Sequence, residues 1–188
     1  MNHPVHPKHC PPQREFYAGG PMPREGAYVI RNRPEIYAIL DKIQKGRYFV
    51  IYAARQVGKT SLIQEVVEKL EPDETYLALY LPFQDLSPDL NAQQFYYILA
   101  KDMLSEIELG LTKKRVKPLQ LKVNKCRSSE SFIQFLRDLH CQIPYQLCLF
   151  VDEFEGIPRR VLDRFLNTLR NIYLRKQRHE NYNLLHSV

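Results

Sequence analysis

The sequence predicts an α/β fold in which helices cover both faces of a mostly parallel sheet. Three apolar runs, residues 47–53, 76–83 and 147–151, have the length and composition of buried strands. Segments of helical periodicity separate them, and such alternation is typical of crossovers that make neighbouring strands parallel. The chain has 188 residues, 44% of them hydrophobic and 26% charged, which suits one globular domain with some additional tail.

The first part of the chain is predicted to be a tail and lead-in. Residues 1–27 are rich in proline and glycine and contain no periodic apolar pattern, so they cannot bury enough surface to fold alone. The stretch HPVHPKHC, residues 3–10, has three histidines and a cysteine that could bind a metal, although an unstructured tail is the more ordinary interpretation. The folded core is expected over residues 28–188.

Apolar residues at intervals of three and four define the predicted helices. Residues 34–45 begin with Pro34, which is favoured at the first helical position, and Gly46 provides a C-cap. Later helices are predicted over residues 60–70, 89–107, 128–140 and 158–176.

The first chemical signal is the turn between the strand at 47–53 and the helix that follows it. Residues 53–60 read AARQVGKT and fit the phosphate-binding pattern G-x-x-x-x-G-K-[ST], except that Ala53 replaces the first glycine. Gly58 allows the backbone to approach a phosphate, Lys59 is expected to neutralise the β- and γ-phosphates, and Thr60 to bind Mg²⁺. The alternative is an ordinary strand-to-helix turn that contains Gly-Lys-Thr by chance. The residues expected to hold the nucleotide are Ala53, Ala54, Arg55, Gln56, Val57, Gly58, Lys59, Thr60 and Ser61.

The second signal is an acidic pair at the end of the apolar run LCLFV, residues 147–151. In an open α/β sheet, this end of the strand faces the same crevice as the phosphate-binding turn. Asp152 is expected to hold Mg²⁺ through water, and Glu153 to orient or activate the attacking water. Lys59 and Glu153 are therefore the candidate catalytic residues.

The two signals together resemble a known family. ARQVGKTSL at 54–62 and LCLFVDEFE at 147–155 resemble the two Walker motifs of P-loop ATPases of the AAA-like class. The nearest resemblance is to the signal-transducing ATPases with numerous domains (STAND) and their prokaryotic AAA-like relatives, in which alanine is common at the first loop position. GGPMPREGAYVIRNRP at 19–34 is similar to the lead-in of such ATPases, so the resemblance covers residues 19–188.

The resemblance carries implications that the residue pattern alone does not. It implies a P-loop NTPase fold in which an extra strand separates the loop strand from the Asp-Glu strand. It places Tyr28 and Arg31 near the adenine, although a loop that packs on the first helix would explain them equally well. The family pattern continues with a strand that ends in a polar sensor residue, and NYNLLHSV at 181–188 would begin it. The core is therefore expected to be incomplete at its C-terminus.

These observations predict an ATPase that uses Mg²⁺ and couples its nucleotide state to conformational change or partner binding. Glu153 favours hydrolysis over simple binding, and the resemblance together with the lack of an N-K-x-D segment favours ATP over GTP. Hydrolysis is expected to be slow without an arginine finger, which can contribute about 10³ to 10⁵ in rate. The alternatives are a nucleotide-gated switch or scaffold with little turnover and a nucleic-acid-associated module.

Charge and targeting signals limit the expected partners. The formal net charge of +6 favours an acidic partner, and a protein partner or self-association is expected from the resemblance. Residues 112–127 form a basic connection without the aromatic residues that stack on bases, so nucleic-acid binding there is open but unsupported. Arg159, Arg160 and Arg164 could contact phosphate or a neighbouring subunit, although a solvated helix face is the more ordinary interpretation. No signal peptide or membrane-spanning run is visible, which predicts a cytoplasmic protein with no membrane association.

Overall fold

Two parallel strands form the centre of the structure. The computed structural model describes residues 33–54, 57–114, 119–179 and 182–188. Strand β1, Tyr76–Pro82, pairs in parallel with strand β2, Gln146–Asp152, and the register runs from Tyr76 opposite Gln146 to Pro82 opposite Asp152. Over the described residues the fold is mixed α/β, with five α-helices and this two-stranded sheet.

Apolar clusters lie on both faces of the sheet because its side chains alternate. Leu77, Leu79 and Leu81 of β1 belong to one buried cluster with residues of the third, fourth and fifth helices. Ala78 and Tyr80, on the opposite face, pack against a second cluster formed by the first two helices. The sheet is thus parallel and covered on both sides, as the alternation of strand and helix patterns predicts.

The five helices are α1 Pro34–Gln44, α2 Lys59–Leu70, α3 Ala92–Lys113, α4 Ser129–His140 and α5 Arg159–Arg178. They occupy the segments that the periodicity predicts, and their ends agree within two residues except in α3, which begins three residues and ends six residues later than predicted. The helix α3 begins after a capping box between Asn91 and Gln94, and α4 begins after one between Ser128 and Ser131. In the described part of the chain, no helix is both long enough and apolar enough to span a membrane.

The basic connection predicted at 112–127 is less exposed than its charges suggest. Helix α3 continues to Lys113 because Leu111, 2% exposed, still packs into the core. Residues 115–118 lie outside the described ranges. After them, Leu121 packs against the core, Val123–Lys125 forms a short 3-10 helix, and Cys126 is buried.

The strand predicted over residues 47–53 is wrong as a regular strand. Residues 47–54 have no regular secondary structure, although the Phe49 N–H donates a 2.9 Å hydrogen bond to the Val188 carbonyl. The physical reason is that one backbone bond does not make a ladder, and the apolar side chains of Val50 and Tyr52 are 69% and 91% exposed.

The last described residues lie between this segment and β2. The His186 N–H donates to the Leu147 carbonyl at 2.7 Å, and the Leu149 N–H donates to the Ser187 carbonyl at 2.9 Å. Ser187 forms an isolated parallel bridge with Cys148. Hydrogen bonds therefore connect four segments in the order 47–49, 186–188, β2 and β1.

Candidate functional site

The N-terminus of α2 and the carboxyl end of β2 meet through one hydrogen bond. The Thr60 hydroxyl donates to Oδ2 of Asp152 at 2.7 Å, although 92 positions separate the two residues in the chain. Thr60 is the second residue of α2, and Asp152 is the last residue of β2. The Gly-Lys-Thr turn and the Asp-Glu pair therefore occupy one place in the fold.

Asp152 is a buried carboxylate, and the described groups that donate to it are all neutral. Its side chain is 7% exposed, and its Oδ2 also accepts a 2.9 Å hydrogen bond from the Tyr80 hydroxyl. Its Oδ1 accepts the backbone N–H of Glu153 at 3.0 Å. Among the described residues, no lysine or arginine forms an ion pair with it. A buried carboxylate without a cationic neighbour is well suited to accept a metal cation nearby.

Tyr80 remains a hydrogen-bond donor to Asp152 over the physiological pH range. Burial raises the pKa of the Tyr80 phenol above its ordinary value. The hydrogen bond to Asp152 and the negative charges of Asp152 and Glu153 raise this pKa further. The phenol thus stays protonated and holds the Asp152 carboxylate in place.

The Lys59 side chain extends back to the first residues of the loop. Its ammonium group donates to the carbonyl oxygens of Ala53 and Ala54, each at 3.1 Å. Arg55 and Gln56, which the pattern places inside the loop, lie outside the described residues. Binding of a phosphate at Lys59 would replace two bonds to neutral carbonyls with bonds to an anion, and charge-assisted hydrogen bonds of that kind are roughly twice as strong.

The start of α2 has the geometry of an anion-binding helix end. Gly58 precedes the helix with φ 80° and ψ 36°, a left-handed conformation that glycine adopts without steric cost. Among the described residues no side chain caps this end, and the same is true of α1 and α5, whereas Asn91 and Ser128 cap α3 and α4. The first N–H groups of α2 have no intrahelical partner, and they add the positive end of the helix dipole.

Arg33 contacts the same turn, and the sequence reasoning did not select it. Its Nη2 donates to the Gly58 carbonyl at 3.3 Å, and its buried Nε has no hydrogen-bond partner among the described residues. The available signal was its position directly before Pro34, the first residue of α1, in the Arg-Asn-Arg-Pro stretch. Tyr28 and Arg31, the lead-in residues that the resemblance selects, lie outside the described ranges.

Glu153 occupies a strained position next to Asp152. Its backbone has φ 52° and ψ 45°, and it is the only non-glycine residue with positive φ in the described part of the chain. Its side chain is exposed at the carboxyl end of β2. The short 3-10 helix Phe154–Gly156 follows, and a Cβ at Gly156 would overlap the carbonyl oxygen of Phe83. A backbone outlier of this kind at the end of a strand is common at functional sites.

The arrangement brings together most of the described residues that the sequence predicts for the site. Thr60 and Asp152 are in contact, Lys59 and Gly58 adjoin them in the loop, and Glu153 follows Asp152. Val57 is 51% exposed, and Ser61 is half-buried in the first turn of α2. The predicted site residues outside the described ranges are Tyr28, Arg31, Arg55 and Gln56.

The oxygen donors of the site suit a hard cation that would take its remaining ligands from water and from a bound substrate. In the described ranges, no group of three or more His, Cys, Asp or Glu residues could hold a metal. Mg²⁺ typically takes one or two carboxylate ligands and completes its shell with waters and phosphate oxygens. The Thr60 hydroxyl and the Asp152 carboxylate are oxygen donors of the kind that it prefers.

Searches of the chain against protein-family models, curated protein sequences and solved structures find no match.

Proposed function

We propose that this chain is a P-loop NTPase of the AAA-like or STAND class that binds Mg-ATP and hydrolyses it. The observation that carries the proposal is the 2.7 Å hydrogen bond from Thr60 to Asp152, which joins the two motifs needed for a Mg-nucleotide site. The uncapped N-terminus of α2 and the Lys59 ammonium beside it supply positive charge where the phosphates would lie.

Each residue of the site has a separate part in this proposal. Lys59 binds the terminal phosphates, and Thr60 and Asp152 hold Mg²⁺, which neutralises phosphate charge when it is bound. Glu153 orients the attacking water and accepts its proton. Its exposed side chain beside Asp152 is compatible with access to a water molecule.

The order of hydrogen-bonded segments also supports the proposal. Residues 186–188 lie between residues 47–49 and β2. The resemblance implies the same order, in which another strand separates the loop segment from the Asp-Glu strand.

The contact between Arg33 and Gly58 offers a route by which nucleotide bound at the loop would alter the lead-in. A change in the lead-in would then alter the conformation of the chain or its binding to a partner. A cytoplasmic location belongs to the proposal because ATP is available there.

The test is thermal unfolding with and without Mg-ATP. At a nucleotide concentration of about 100 times Kd, the native state should gain about 2.7 kcal/mol. For a domain of this size, that gain corresponds to a rise in Tm of about 5 to 11 °C. Lys59→Ala should abolish the rise, whereas Lys42→Ala, which removes an exposed lysine of α1, should preserve it. A wild type that unfolds cooperatively and shows no rise would contradict the proposal.

A turnover assay separates hydrolysis from simple binding. Glu153→Gln should keep the rise in Tm and lose phosphate release. If the wild type releases phosphate no faster than Glu153→Gln while both bind Mg-ATP, the chain is a nucleotide-gated switch or scaffold.

A further inference from the structure

The helix α5 concentrates positive charge to an unusual degree. Its 20 residues include six arginines and one lysine against a single aspartate, which gives a formal charge of +6. That value equals the formal net charge of the whole chain, +6. The charges of the remaining residues therefore balance, and α5 is the main source of the positive field of the protein.

Four of these arginines and two asparagines form one row of exposed residues, with the charges at its two ends. Positions 160, 164, 167, 171, 175 and 178 follow one another at intervals of three or four, so they lie along one side of the helix. All six are exposed, and none is acidic. We call this row the basic stripe; its members are Arg160, Arg164, Asn167, Asn171, Arg175 and Arg178. At 1.5 Å per residue, the stripe is about 27 Å long.

The guanidinium groups of the stripe are not used within the described structure to neutralise carboxylates. The ion pairs recorded between described residues join Lys45 to Asp41 and Lys113 to Glu71. Arg160 donates its Nε to the Leu90 carbonyl at 3.2 Å. Because guanidinium carries five N–H donors, this bond leaves most of its donors directed elsewhere.

A neighbouring helix extends the stripe. The guanidinium groups of Arg137 on α4 and of Arg175 each lie 5.9 Å from the centre of the Tyr182 ring. One aromatic ring thus holds two arginines from different helices near each other. Arg137 is exposed and adds a fifth guanidinium beside the C-terminal half of the stripe.

The residue types of the basic stripe indicate the class of partner that it binds. An amphipathic helix binds a membrane through a continuous apolar face, but the apolar face of α5, with Val161, Phe165 and Ile172, is buried in the core. The exposed apolar residues of α5 are two leucines eight positions apart, Leu166 and Leu174, which are 43% and 41% exposed and do not make a continuous face. Protein interfaces depend on aromatic or aliphatic anchors at their centre, and the stripe has only arginine and asparagine. Arginine binds phosphate through two parallel N–H bonds, and asparagine contributes hydrogen bonds to phosphate and sugar.

We propose that the basic stripe of α5, together with Arg137, is a docking surface for the phosphate backbone of a nucleic-acid duplex. The stripe lacks the exposed aromatic side chains that stack on single-stranded bases, which favours duplex binding without sequence readout. The proposal does not depend on ATP binding, because none of these residues belongs to the candidate site at Thr60 and Asp152.

The test measures binding of a fluorescent DNA duplex of about 20 base pairs by anisotropy at salt concentrations between about 50 and 200 mM. Five phosphate contacts, one for each arginine of the surface, predict a slope of log K against log salt of about −4.5. The triple variant Arg164→Gln, Arg175→Gln, Arg178→Gln should weaken binding by at least about tenfold at low salt and reduce the slope to about −1.8. Thermal unfolding of the variant checks that the fold is intact.

A matched control removes the same charge from other surfaces. Lys42→Gln, Lys101→Gln, Lys122→Gln neutralises three exposed lysines outside α5 and should leave the salt slope close to that of the wild type. Equal weakening by the control would show that only net charge matters and would overturn the proposal. An unchanged slope in the arginine variant would also overturn it. So would loss of binding to phosphatidylserine-containing vesicles by that variant while duplex binding persists.

A second variant should act in the opposite direction. Glu130, an exposed residue of α4, lies seven positions before Arg137, which is two helical turns along the same side of that helix. Its negative charge therefore lies on the side of α4 that carries Arg137, about one Debye length from it. Glu130→Gln should tighten duplex binding at low salt, and weaker binding by this variant would contradict the proposed position of the duplex.

Discussion

The Thr60 hydroxyl lies 2.7 Å from Oδ2 of Asp152, and the Tyr80 hydroxyl lies 2.9 Å from the same oxygen. Two hydroxyls from α2 and β1 thus converge on one buried carboxylate oxygen of β2. Both bonds stabilise the fold, but only Thr60 lies in the Gly-Lys-Thr turn. The two hydroxyls can therefore be distinguished by experiment.

Thr60→Val and Tyr80→Phe each remove one of these hydroxyls and should each lower the free energy of unfolding by about 1 to 2 kcal/mol. The reason is that a hydrogen bond to a charged group contributes about 1.5 to 3 kcal/mol, and Asp152 retains other donors. Chemical denaturation measures both losses. Only Thr60→Val should also lose the dependence of ATP binding on Mg²⁺. Retention of that dependence in Thr60→Val would rule out the proposed metal ligand.

Gly156→Ala should lower the free energy of unfolding by about 3 kcal/mol, because the new Cβ would overlap the backbone carbonyl of Phe83. The Phe83 N–H donates to the Asp152 carbonyl at 3.0 Å, so a shift of Phe83 also disturbs the end of β2. Urea unfolding measures the loss.

Gly110→Ala is the matched control for this substitution. Its Cβ would lie 2.6 Å from the end of the Leu77 side chain, which can rotate away. The higher helix propensity of alanine, about 1 kcal/mol, offsets this contact within α3. We expect a net change within about 1 kcal/mol, and equal losses in the two variants would contradict the interpretation.

Glu153→Gly should raise the free energy of unfolding by about 0.5 to 1 kcal/mol. The left-handed backbone at φ 52° costs a glutamate about 1 to 2 kcal/mol, which glycine avoids. The greater freedom of glycine in the unfolded chain removes about 0.4 to 1 kcal/mol of that gain. Glu153→Gln keeps the strain and should leave stability unchanged in the same denaturation experiment. A less stable glycine variant would show that the conformation is not strained.

The sequence allowed the central part of the candidate site to be predicted because parallel strands end at the same edge of a sheet. The apolar run before Asp152 and the helical pattern after Thr60 were sufficient to place both side chains in one crevice. Neither Tyr80 nor Arg33 was predicted as a neighbour of that crevice. Tyr80 lies within an apolar strand pattern, and only the register of β1 against β2 shows that its hydroxyl reaches Asp152.

Two other differences between the sequence predictions and the structure arise from contacts between distant segments, which the sequence pattern of one segment does not show. Residues 47–53 have the composition of a strand, but among the described residues their backbone pairing is the bond from Phe49 to Val188, which depends on a segment far away in the sequence. Similarly, the arginines near the start of α5 read as an ordinary solvated face. Their continuation to Arg178 and the approach of Arg137 become visible only when the helix and its neighbour are placed.

Stability should fall as the pH is lowered through the ordinary titration range of histidine, because His186 is buried in its neutral form. Its ring is 8% exposed. Its Nε2 lies 2.7 Å from the Ile43 carbonyl, and its Nδ1 lies 3.3 Å from the Asn183 amide nitrogen. The carbonyl requires a proton on Nε2, so Nδ1 accepts from Asn183 and the neutral ring has a partner at each nitrogen.

Burial lowers the pKa of His186 below its ordinary value, and the positive charge of Lys176 lowers it further, while the bond to Ile43 opposes the change. Between the two pKa values, the unfolded chain therefore binds more protons than the native state. The stabilising contribution is complete above about pH 6.5, the unfolded value, and is lost as the pH falls toward the lower native value.

The measurement compares the free energy of unfolding at about pH 7.5 and about pH 5.5 for the wild type and for His186→Gln. Every other residue is the same in both proteins, so the difference between the two pH dependences isolates His186. The wild type should lose more stability on acidification than the variant. Because residues 186–188 lie between residues 47–49 and β2, acid should also loosen the segment that leads to Lys59. Identical pH dependences would show that His186 is not held neutral in the native state.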